Sequence, residues 1–574
     1  MNLNRAEAQG ESVSKGLMLG LAFAVLAVVA AVYFPVVHAG FVWDDWPSFR
    51  DLQGDNWAHY VFRDFNQWTL YFRPLVVAFL ALQVKLFHST PGPMHAVSLA
   101  LHLANAALVG ALAHRASVLT NVSPTRRHWM VPACMLLYGL HPALIETVSW
   151  IGCQFDLITT LFILLGLIAN ASLQQPLARA GAIALCFFLA ICSKEAGATF
   201  PFLVVLFDAA LFAREGKRSI ADIVRTLWRR NRVVYASLVV AGIAYFLLRR
   251  WAVGAPGSLS TLSATRAFSR TWWMQLQEVC MTYLCYLKVI IWPMAGLGPL
   301  HPEDISAFQS VTVATVFACV TAIGVVAAGF YLALKRGLAL GFIILAVTIS
   351  LLPVLRLIPV DFDHNLYHER YATLAIAMSC ALLPLLQWPR VLTTQGTTAR
   401  SVRQLLPVAI GLWLILCTVD IRVVSPNWSS DIALWRWAIA LDPHSAVGQS
   451  NLLVSYDERG DSANVQKLAD AFLVDPVKCT ACLLQVARIS VDRNDPARAA
   501  AALQRVSDTP LVTKSLDGRQ FYYRELGRLT DLQGRHAEAR KLLEAALALK
   551  PADAATQSAL AKAIASESAA GQGH

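Results

Sequence analysis

Hydrophobic residues in this chain fall into long runs, separated by short polar segments, from about residue 16 to residue 422. Several of the runs approach the roughly 20 residues that an α-helix needs to cross a bilayer. The first run, over 16–38, is too long for a cleaved signal and has no small-residue cleavage site, so we expect an uncleaved anchor. The pattern predicts an all-α, polytopic membrane protein.

Composition and charge support this prediction. The 574 residues are 56% hydrophobic, with a mean hydropathy of +0.51, which excludes an ordinary soluble enzyme. The net charge of +11 comes largely from arginines in short loops between the runs, where it indicates orientation. No nucleic-acid-binding module accompanies these arginines, so no nucleic-acid partner is expected.

The arginine clusters predict the topology. If all of them are cytoplasmic, an even number of crossings must separate successive clusters. Besides 16–38, the crossings that satisfy this rule lie near 94–114, 129–148, 156–174, 179–193, 197–213, 232–250, 309–333, 338–358, 368–388 and 404–422. With about eleven spans in total, the N-terminus lies on the cytoplasmic side of the membrane and the C-terminal segment on the outer side. Residues 74–88 and 272–293 do not fit as crossings and are expected to lie on, or dip into, the outer leaflet.

The segment from about 425 has a different pattern. Its prolines at 443, 476 and 510 are spaced 33 and 34 apart, which is close to the 34-residue tetratricopeptide period. Such helix pairs stack into an α-solenoid with a concave binding face. We therefore expect a membrane domain over 1–424 and a repeat domain over 425–574. Cys479 and Cys482 form either a local disulfide or two unpaired thiols, and no zinc ligand set is evident around them.

Two adjacent carboxylates, Asp44 and Asp45, lie between tryptophans just beyond the first hydrophobic run. Ionisable groups at a membrane boundary are costly and usually functional. The other ionisable groups at predicted outer span ends are Arg73, His141, Glu146, Asp156, Lys194, Glu195, Arg249, Arg250 and the run 361–370. The alternative is that these groups only form structural ion pairs with one another, Asp156 with Lys194 or Glu369 with Arg370. For Glu146, Asp156 and Glu195, a pairing role and a chemical role are equally compatible with the sequence.

This mixture of charges suits group transfer from a phosphate-bearing lipid. A carboxylate can deprotonate an acceptor, while Arg and Lys hold phosphate oxygens and stabilise a phosphate that leaves. Glycosyl transfer from a lipid-linked phosphosugar fits these parts.

An acidic pair in the first external loop of a many-spanning protein resembles the GT-C glycosyltransferase architecture. More closely, the chain resembles the transmembrane and tetratricopeptide-repeat O-mannosyltransferases and their bacterial relatives. The matching stretches are 42–45, 71–75, His95 with His102 and Asn105, 141–142 with Glu146, Trp150 and Asp156, 193–195, 368–371, and 428–445. Gln154 departs from the pattern, because relatives usually carry arginine there.

The resemblance implies that Asp44 is the catalytic carboxylate and Asp45 its supporting neighbour. The residues expected at the donor's phosphate are Arg73, Lys194, His368 and Arg370. Secondary substrate-binding roles fall to Glu195, Asp156 and His141. The partners implied are a polyprenyl-phosphate-linked sugar, membrane lipids, and a protein or glycan acceptor engaged by the repeats. No cofactor is expected, although a divalent metal stays open.

The alanine- and arginine-rich composition and the compact C-terminal segment favour a bacterial inner-membrane protein. The orientation predicted by the arginine clusters then places the repeat domain in the periplasm. Two rival functions stand beside the enzyme. One is a lipid-linked sugar transporter, which should carry charges near span centres. The other is a membrane scaffold whose repeats assemble envelope proteins.

Overall fold

The computed structural model describes residues 2–54, 56–62, 71–213, 220–253, 271–302, 308–357, 365–386, 397–475, 479–551 and 553–571. These residues divide into two compact units, Met1–Ser430 and Asp431–His574. The described part of the chain is helical and has no β-strand, which confirms the all-α class.

The described part of the first unit is built from helices. Its α-helices are α1 Asn2–Tyr33, α2 Asp45–Gln53, α3 Trp57–Phe62, α4 Pro74–Phe87, α5 Pro91–Leu119, α6 Pro124–Gly139, α7 Ile145–Ser149, α8 Gln154–Ser172, α9 Pro176–Ile191, α10 Phe200–Ala213, α11 Ile220–Val253, α12 Trp272–Ile291, α13 Val313–Phe330, α14 Ala339–Leu351, α15 Thr373–Leu382 and α16 Thr397–Val424. Several of them begin with proline at the first helical position, where its missing N–H costs no helical hydrogen bond.

Seven segments among the described residues are long and apolar enough to cross a membrane. They are Gly16–His38, Pro91–Leu119, Ile151–Ser172, Glu195–Ala213, Ala221–Val253, Val313–Lys335 and Gln404–Trp428. An eighth is obtained if Pro124–Gly139 and Pro142–Ser149, bent by 53° at their junction, form one span. The chain is therefore a membrane-integral type of protein, while the expected count of eleven is not confirmed. Apolar α9 and α14, at 16 and 13 residues, are too short to count by themselves.

The exposed faces of these helices are apolar. On α13, the side chains of Val313, Phe317, Val320 and Ile323 are all more than half exposed. Such an apolar face is unfavourable in water but favourable in the hydrocarbon of a bilayer. Because hydrocarbon offers no hydrogen-bond partners, the backbone there must form its hydrogen bonds within the helix. The outward side of the bundle thus has the chemistry of a lipid contact.

The inward side contains polar side chains that fix backbone. Along α5, His95 donates a hydrogen bond from Nε2 to the Gly40 carbonyl oxygen of the first loop, at 3.1 Å. His102 Nε2 lies 3.0 Å from Gly139 O, and Asn105 donates to Leu157 O at 2.9 Å. All three side chains are fully buried. These residues hold irregular backbone in place, which buried C=O groups require.

A second buried network joins α8, α10 and α11. The Asp208 carboxylate accepts hydrogen bonds from Asn170 and Asn231, both at 2.7 Å, and from the Tyr235 hydroxyl at 3.2 Å. Buried polar groups of this kind are stable only when their partners are present.

Helix α4, expected on the outer leaflet, contacts α2, α3, α5 and α8. Six of its residues are buried, including Val76 and Leu80 in an apolar cluster with Phe49 and Ile158. It is therefore packed into the first unit on at least one face. Helix α12, the other segment expected there, contacts α13 and buries Glu278 against Arg356, with 3.0 Å between Nη1 and Oε1.

The second unit is a succession of helical pairs. Its helices are α17 Asp431–Leu441, α18 Ala446–Glu458, α19 Ser462–Val474, α20 Thr480–Asp492, α21 Pro496–Val506, α22 Pro510–Thr513, α23 Leu516–Leu532, α24 His536–Leu549 and α25 Ala554–Gly571. Helices α18, α20 and α23 contact one another in that order, and each also contacts the helix that follows it. At Gly527 of α23, a Cβ would lie 2.7 Å from the Leu543 side chain, so glycine allows the close approach of α24. Cys479 and Cys482 form a disulfide at the start of α20.

Candidate functional site

The acidic pair follows a sharp turn. Trp43 has a left-handed backbone with φ of 57°, and α2 begins two residues later. Asp45 is 1% exposed, and its two carboxylate oxygens accept hydrogen bonds from the backbone of Val42 at 3.2 Å and of Gly152 at 3.0 Å. Asp45 therefore ties the first loop to the turn before α8.

Asp44 is placed differently. Its side chain is exposed, and its carboxylate makes no hydrogen bond to the described residues. Yet the surrounding protein raises its pKa by desolvation, an effect that nearby Arg370 opposes. Burial also raises the pKa of Asp45 well above the usual range, against the effect of its two backbone hydrogen bonds.

Three indole rings stand in a row beside this loop. Trp43 stacks on Trp150, with centroids 5.1 Å apart and planes 11° apart, and Trp150 lies parallel to Trp428 at 6.3 Å. The Arg370 guanidinium lies 4.9 Å from the Trp150 ring centroid. The stack places the acidic loop and Arg370 on a common aromatic support, and such cation–π contacts are worth about 0.5–2 kcal/mol.

Each cation expected at the phosphate has a carboxylate partner. Arg73, just before α4, donates Nε and one Nη to Glu195, the latter at 2.7 Å. Lys194 donates to Asp156 at 2.6 Å.

Arg370, the third cation, pairs with Glu146, whose other oxygen also accepts the Arg370 backbone N–H at 2.9 Å. The pairing alternative is thus observed for Asp156 with Lys194, whereas it is wrong for Glu369 with Arg370. The Glu369 carboxylate instead accepts a hydrogen bond from His301 Nε2 at 2.7 Å.

Two of the three cations, Lys194 and Arg370, lie over the ring of Tyr371, and Arg73 is close enough to affect the pKa of Lys194. The Lys194 ammonium is 4.3 Å and the Arg370 guanidinium 4.6 Å from its ring centroid. Burial lowers the pKa of Lys194. The positive charges of Arg73 and Arg370 lower this pKa further, whereas the Asp156 carboxylate raises it. We call Arg73, Lys194 and Arg370, with their three carboxylates, the charged cluster.

Several donors of the charged cluster have no acceptor among the described residues. These are the second Nη group of Arg73, two of the three ammonium hydrogens of Lys194, and Nε of Arg370. Donors left over on clustered cations are what an additional anion requires.

The two histidines lie in different surroundings. His141 caps a short turn: its Nδ1 accepts the Ala143 N–H at 3.3 Å, so Nε2 donates to Ile290 O at 3.0 Å. No ring nitrogen of His141 is left for a substrate. His368 lies at the charged cluster, with Nδ1 3.9 Å from Glu146 and its ring 6.4 Å from that of Trp43.

Sequence reasoning missed two parts of the region. His301 stacks on Tyr367 with 3.9 Å between centroids, and its loop contains no motif that marks it. Gln83 donates to Gln154 at 2.7 Å, and Gln154 in turn donates to Ser98 at 3.1 Å. Gln154 is therefore engaged in a buried amide network. Among the described residues, no group of three or more His, Cys, Asp or Glu side chains is arranged to hold a metal ion.

No protein-family model matches this chain, and comparison with curated proteins and with solved structures gives no significant match.

Proposed function

We propose that this protein is a GT-C-type integral-membrane glycosyltransferase, related to the tetratricopeptide-repeat O-mannosyltransferases. It moves a sugar from a polyprenyl-phosphate-linked donor to a protein or envelope-glycan acceptor on the periplasmic face of a bacterial inner membrane. The observation that carries the proposal is that Asp44, whose carboxylate has no hydrogen bond to the described residues, lies close enough to Arg370 for this arginine to affect its pKa. Arg370 in turn belongs to the charged cluster, whose cations have spare donors.

The charged cluster supplies a phosphate site. Its three cations are balanced by three carboxylates, so a phosphate must share their donors. Glu195 is the carboxylate most easily turned aside, because its side chain is 41% exposed, whereas those of Asp156 and Glu146 are 10% and 3% exposed. Arg73 thereby becomes the first contact of the donor phosphate, with fork-shaped geometry that suits phosphate oxygens.

Asp44 supplies the base. Its carboxylate takes the proton of the acceptor hydroxyl, and the oxygen forms a bond to the anomeric carbon of the donor sugar. The bond between that carbon and the phosphate oxygen breaks, and the polyprenyl phosphate leaves with the electron pair. The cations stabilise the charge of the leaving group, so no acid is needed there. The raised pKa of Asp44 makes it a stronger base than an ordinary aspartate.

Catalysis is tested with a matched pair of variants. In purified protein reconstituted into vesicles, Asp44→Asn keeps size but removes basicity, and it should lower turnover about 10²–10⁴-fold. Asp51→Asn alters an exposed aspartate of α2 and should leave turnover unchanged. Wild-type turnover in Asp44→Asn would reject the mechanism.

Donor binding is tested separately. Arg73→Gln should weaken binding of a polyprenyl phosphate about tenfold or more, since charge-assisted hydrogen bonds contribute about 1.5–3 kcal/mol. Arg50→Gln, at an exposed arginine of α2, is the control. The variants Lys194→Gln and Arg370→Gln need a folding control, because each leaves a buried carboxylate alone. Normal binding in all three would mean that the charged cluster is structural.

The proposed topology has about eleven crossings, because α9, α14 and the segment around α15 are counted with the longer spans. The N-terminus lies in the cytoplasm, and the second unit, as a tetratricopeptide-type solenoid that engages the acceptor, lies in the periplasm. A reporter active only in the periplasm should work when fused at Val424 and fail at Arg218, a position outside the described residues. The reverse result would overturn the orientation.

A further inference from the structure

A small cavity of about 220 Å³ lies between the end of α1 and the end of α16. Its wall is mainly apolar, formed by Val32, Pro35, Val36, Ala39, Pro426 and Trp428. Two of the seven apolar segments end at this cavity, Gly16–His38 and Gln404–Trp428. They are the least buried of the seven, because only 17% and 11% of their apolar stretches are covered by other parts of the protein. The cavity therefore borders the surface where lipid is expected, and it is far too small for a whole lipid.

Two polar features stand in this apolar wall. Arg422 is exposed, and its contact with the described residues is a long hydrogen bond from Nη1 to Val32 O, at 3.4 Å. Ser149, at the end of α7, is fully buried, lines the cavity, and its hydroxyl has no hydrogen-bond partner among the described residues. A cation with unused donors and a buried hydroxyl are complementary to an anionic oxygen group.

We propose that this cavity binds the phosphate headgroup of an anionic membrane phospholipid. The phosphate lies between Arg422 and the Ser149 hydroxyl, and the first carbons of the lipid lie against Val32, Val36 and Pro426. Membrane-facing arginine attracts anionic headgroups, and about 220 Å³ suits a headgroup with its chains left in the bilayer. None of these residues belongs to the charged cluster, so the site is independent of the proposed glycosyl transfer.

The site is joined to the acidic loop. Trp428, which forms part of the cavity wall, is the last ring of the stack that begins at Trp43. The carbonyl of Ser429, also in the wall, accepts the Gly40 N–H at 2.9 Å. A bound lipid therefore braces the loop that leads to Asp44, and the Gly40 amide should exchange hydrogen more slowly when the lipid is bound.

The test measures lipid binding, not activity. Purified full-length protein in neutral detergent is titrated with short-chain phosphatidylglycerol, phosphatidylcholine and inorganic phosphate, and bound lipid is counted by native mass spectrometry. We expect phosphatidylglycerol to bind about tenfold more tightly than phosphatidylcholine, as one charge-assisted contact predicts. Arg422→Gln should remove this preference and Arg422→Lys should retain it. Ser149→Ala should lower the affinity for phosphatidylglycerol about fivefold.

Arg250→Gln is the matched control, because it removes another exposed arginine at a span end that does not line the cavity. An equal loss in Arg250→Gln and Arg422→Gln would overturn the proposal, as would unchanged affinity in both Arg422→Gln and Ser149→Ala. Inorganic phosphate that displaces the lipid at similar concentrations would also overturn it, since the ligand would then be the free anion.

Discussion

Asp45 should act as a structural anchor whose loss opens the first loop. Its two carboxylate oxygens accept separate backbone N–H groups, those of Val42 and Gly152. Asparagine keeps one acceptor oxygen but turns an NH2 group toward the other N–H. The variant Asp45→Asn thus leaves one backbone N–H without an acceptor, at a cost of about 1.5–3 kcal/mol within the range for a buried unsatisfied donor.

The magnitude can be measured at the affected amides. Since about 1.4 kcal/mol corresponds to a factor of ten, protection of the Val42 or Gly152 amide against hydrogen exchange should fall about 10–150-fold. Relief of the burial that raises the Asp45 pKa offsets part of this loss, so the lower end is expected. Hydrogen–deuterium exchange with mass spectrometry of purified protein provides the readout.

The control is Asp44→Asn, which removes a charge one residue away but no hydrogen bond to the described residues. It should leave both amides as protected as in the wild type, even though we expect it to abolish most turnover. Unchanged exchange in Asp45→Asn, or equal exposure in both variants, would refute the division of the pair into an anchor and an open carboxylate.

Three further outcomes follow from the charged groups. Turnover should fall as pH drops through the pKa of Asp44, and because desolvation raises that pKa, the acid limb of the rate profile should lie above the ordinary aspartate value of 3.8; a limb at or below it would contradict the assignment. Glu195→Gln frees Arg73 from a half-exposed ion pair, so polyprenyl phosphate should bind up to about fivefold more tightly in titrations, and weaker binding would count against the phosphate site. Asp208→Ala leaves three hydrogen-bond donors without their acceptor, at about 1–3 kcal/mol for each one that stays buried, and should lower the apparent unfolding temperature in detergent.

The hydrophobic pattern was sufficient to place helices but not to count crossings. The expected span at 309–333 contains α13, Val313–Phe330, because an apolar run with few charges has no competing structure in a bilayer. Near 368–388, however, the regular helix α15 has only 10 residues, flanked by tight turns at Glu369 and at Leu383. Hydropathy does not register the break at Leu383, since the residues of that turn are apolar, and the charged Glu369 and Arg370 lie at the other end of the segment, where a span boundary is expected anyway.

The sequence predicted which charged residues lie in the candidate site better than it predicted which of them pair with one another. The sequence placed Arg370 near other charges, but its partner Glu146 is 224 positions away. Likewise Glu369 pairs with His301, 68 positions away, and not with its neighbour. Ion pairs of this kind depend on how helix ends converge, which one sequence without its fold does not specify. The different placement of Asp44 and Asp45 also depends on the fold, because Asp44 precedes α2 and Asp45 is the first residue of that helix.

The pairing of every cation in the charged cluster is compatible with ligand binding. A buried cation without a counter-ion is strongly destabilising, so a phosphate site that must fold empty has to contain its own carboxylates. The useful difference lies in exposure: the side chains of Asp156 and Glu146 are almost enclosed, while that of Glu195 is 41% exposed. The enclosed pairs then fix Lys194 and Arg370 in place, and the Arg73 pair is the one that a phosphate can open. On this basis, we expect substitution of the more accessible Arg73 to weaken binding of the donor more than substitution of Lys194 or Arg370. The comparison is made among variants that fold normally.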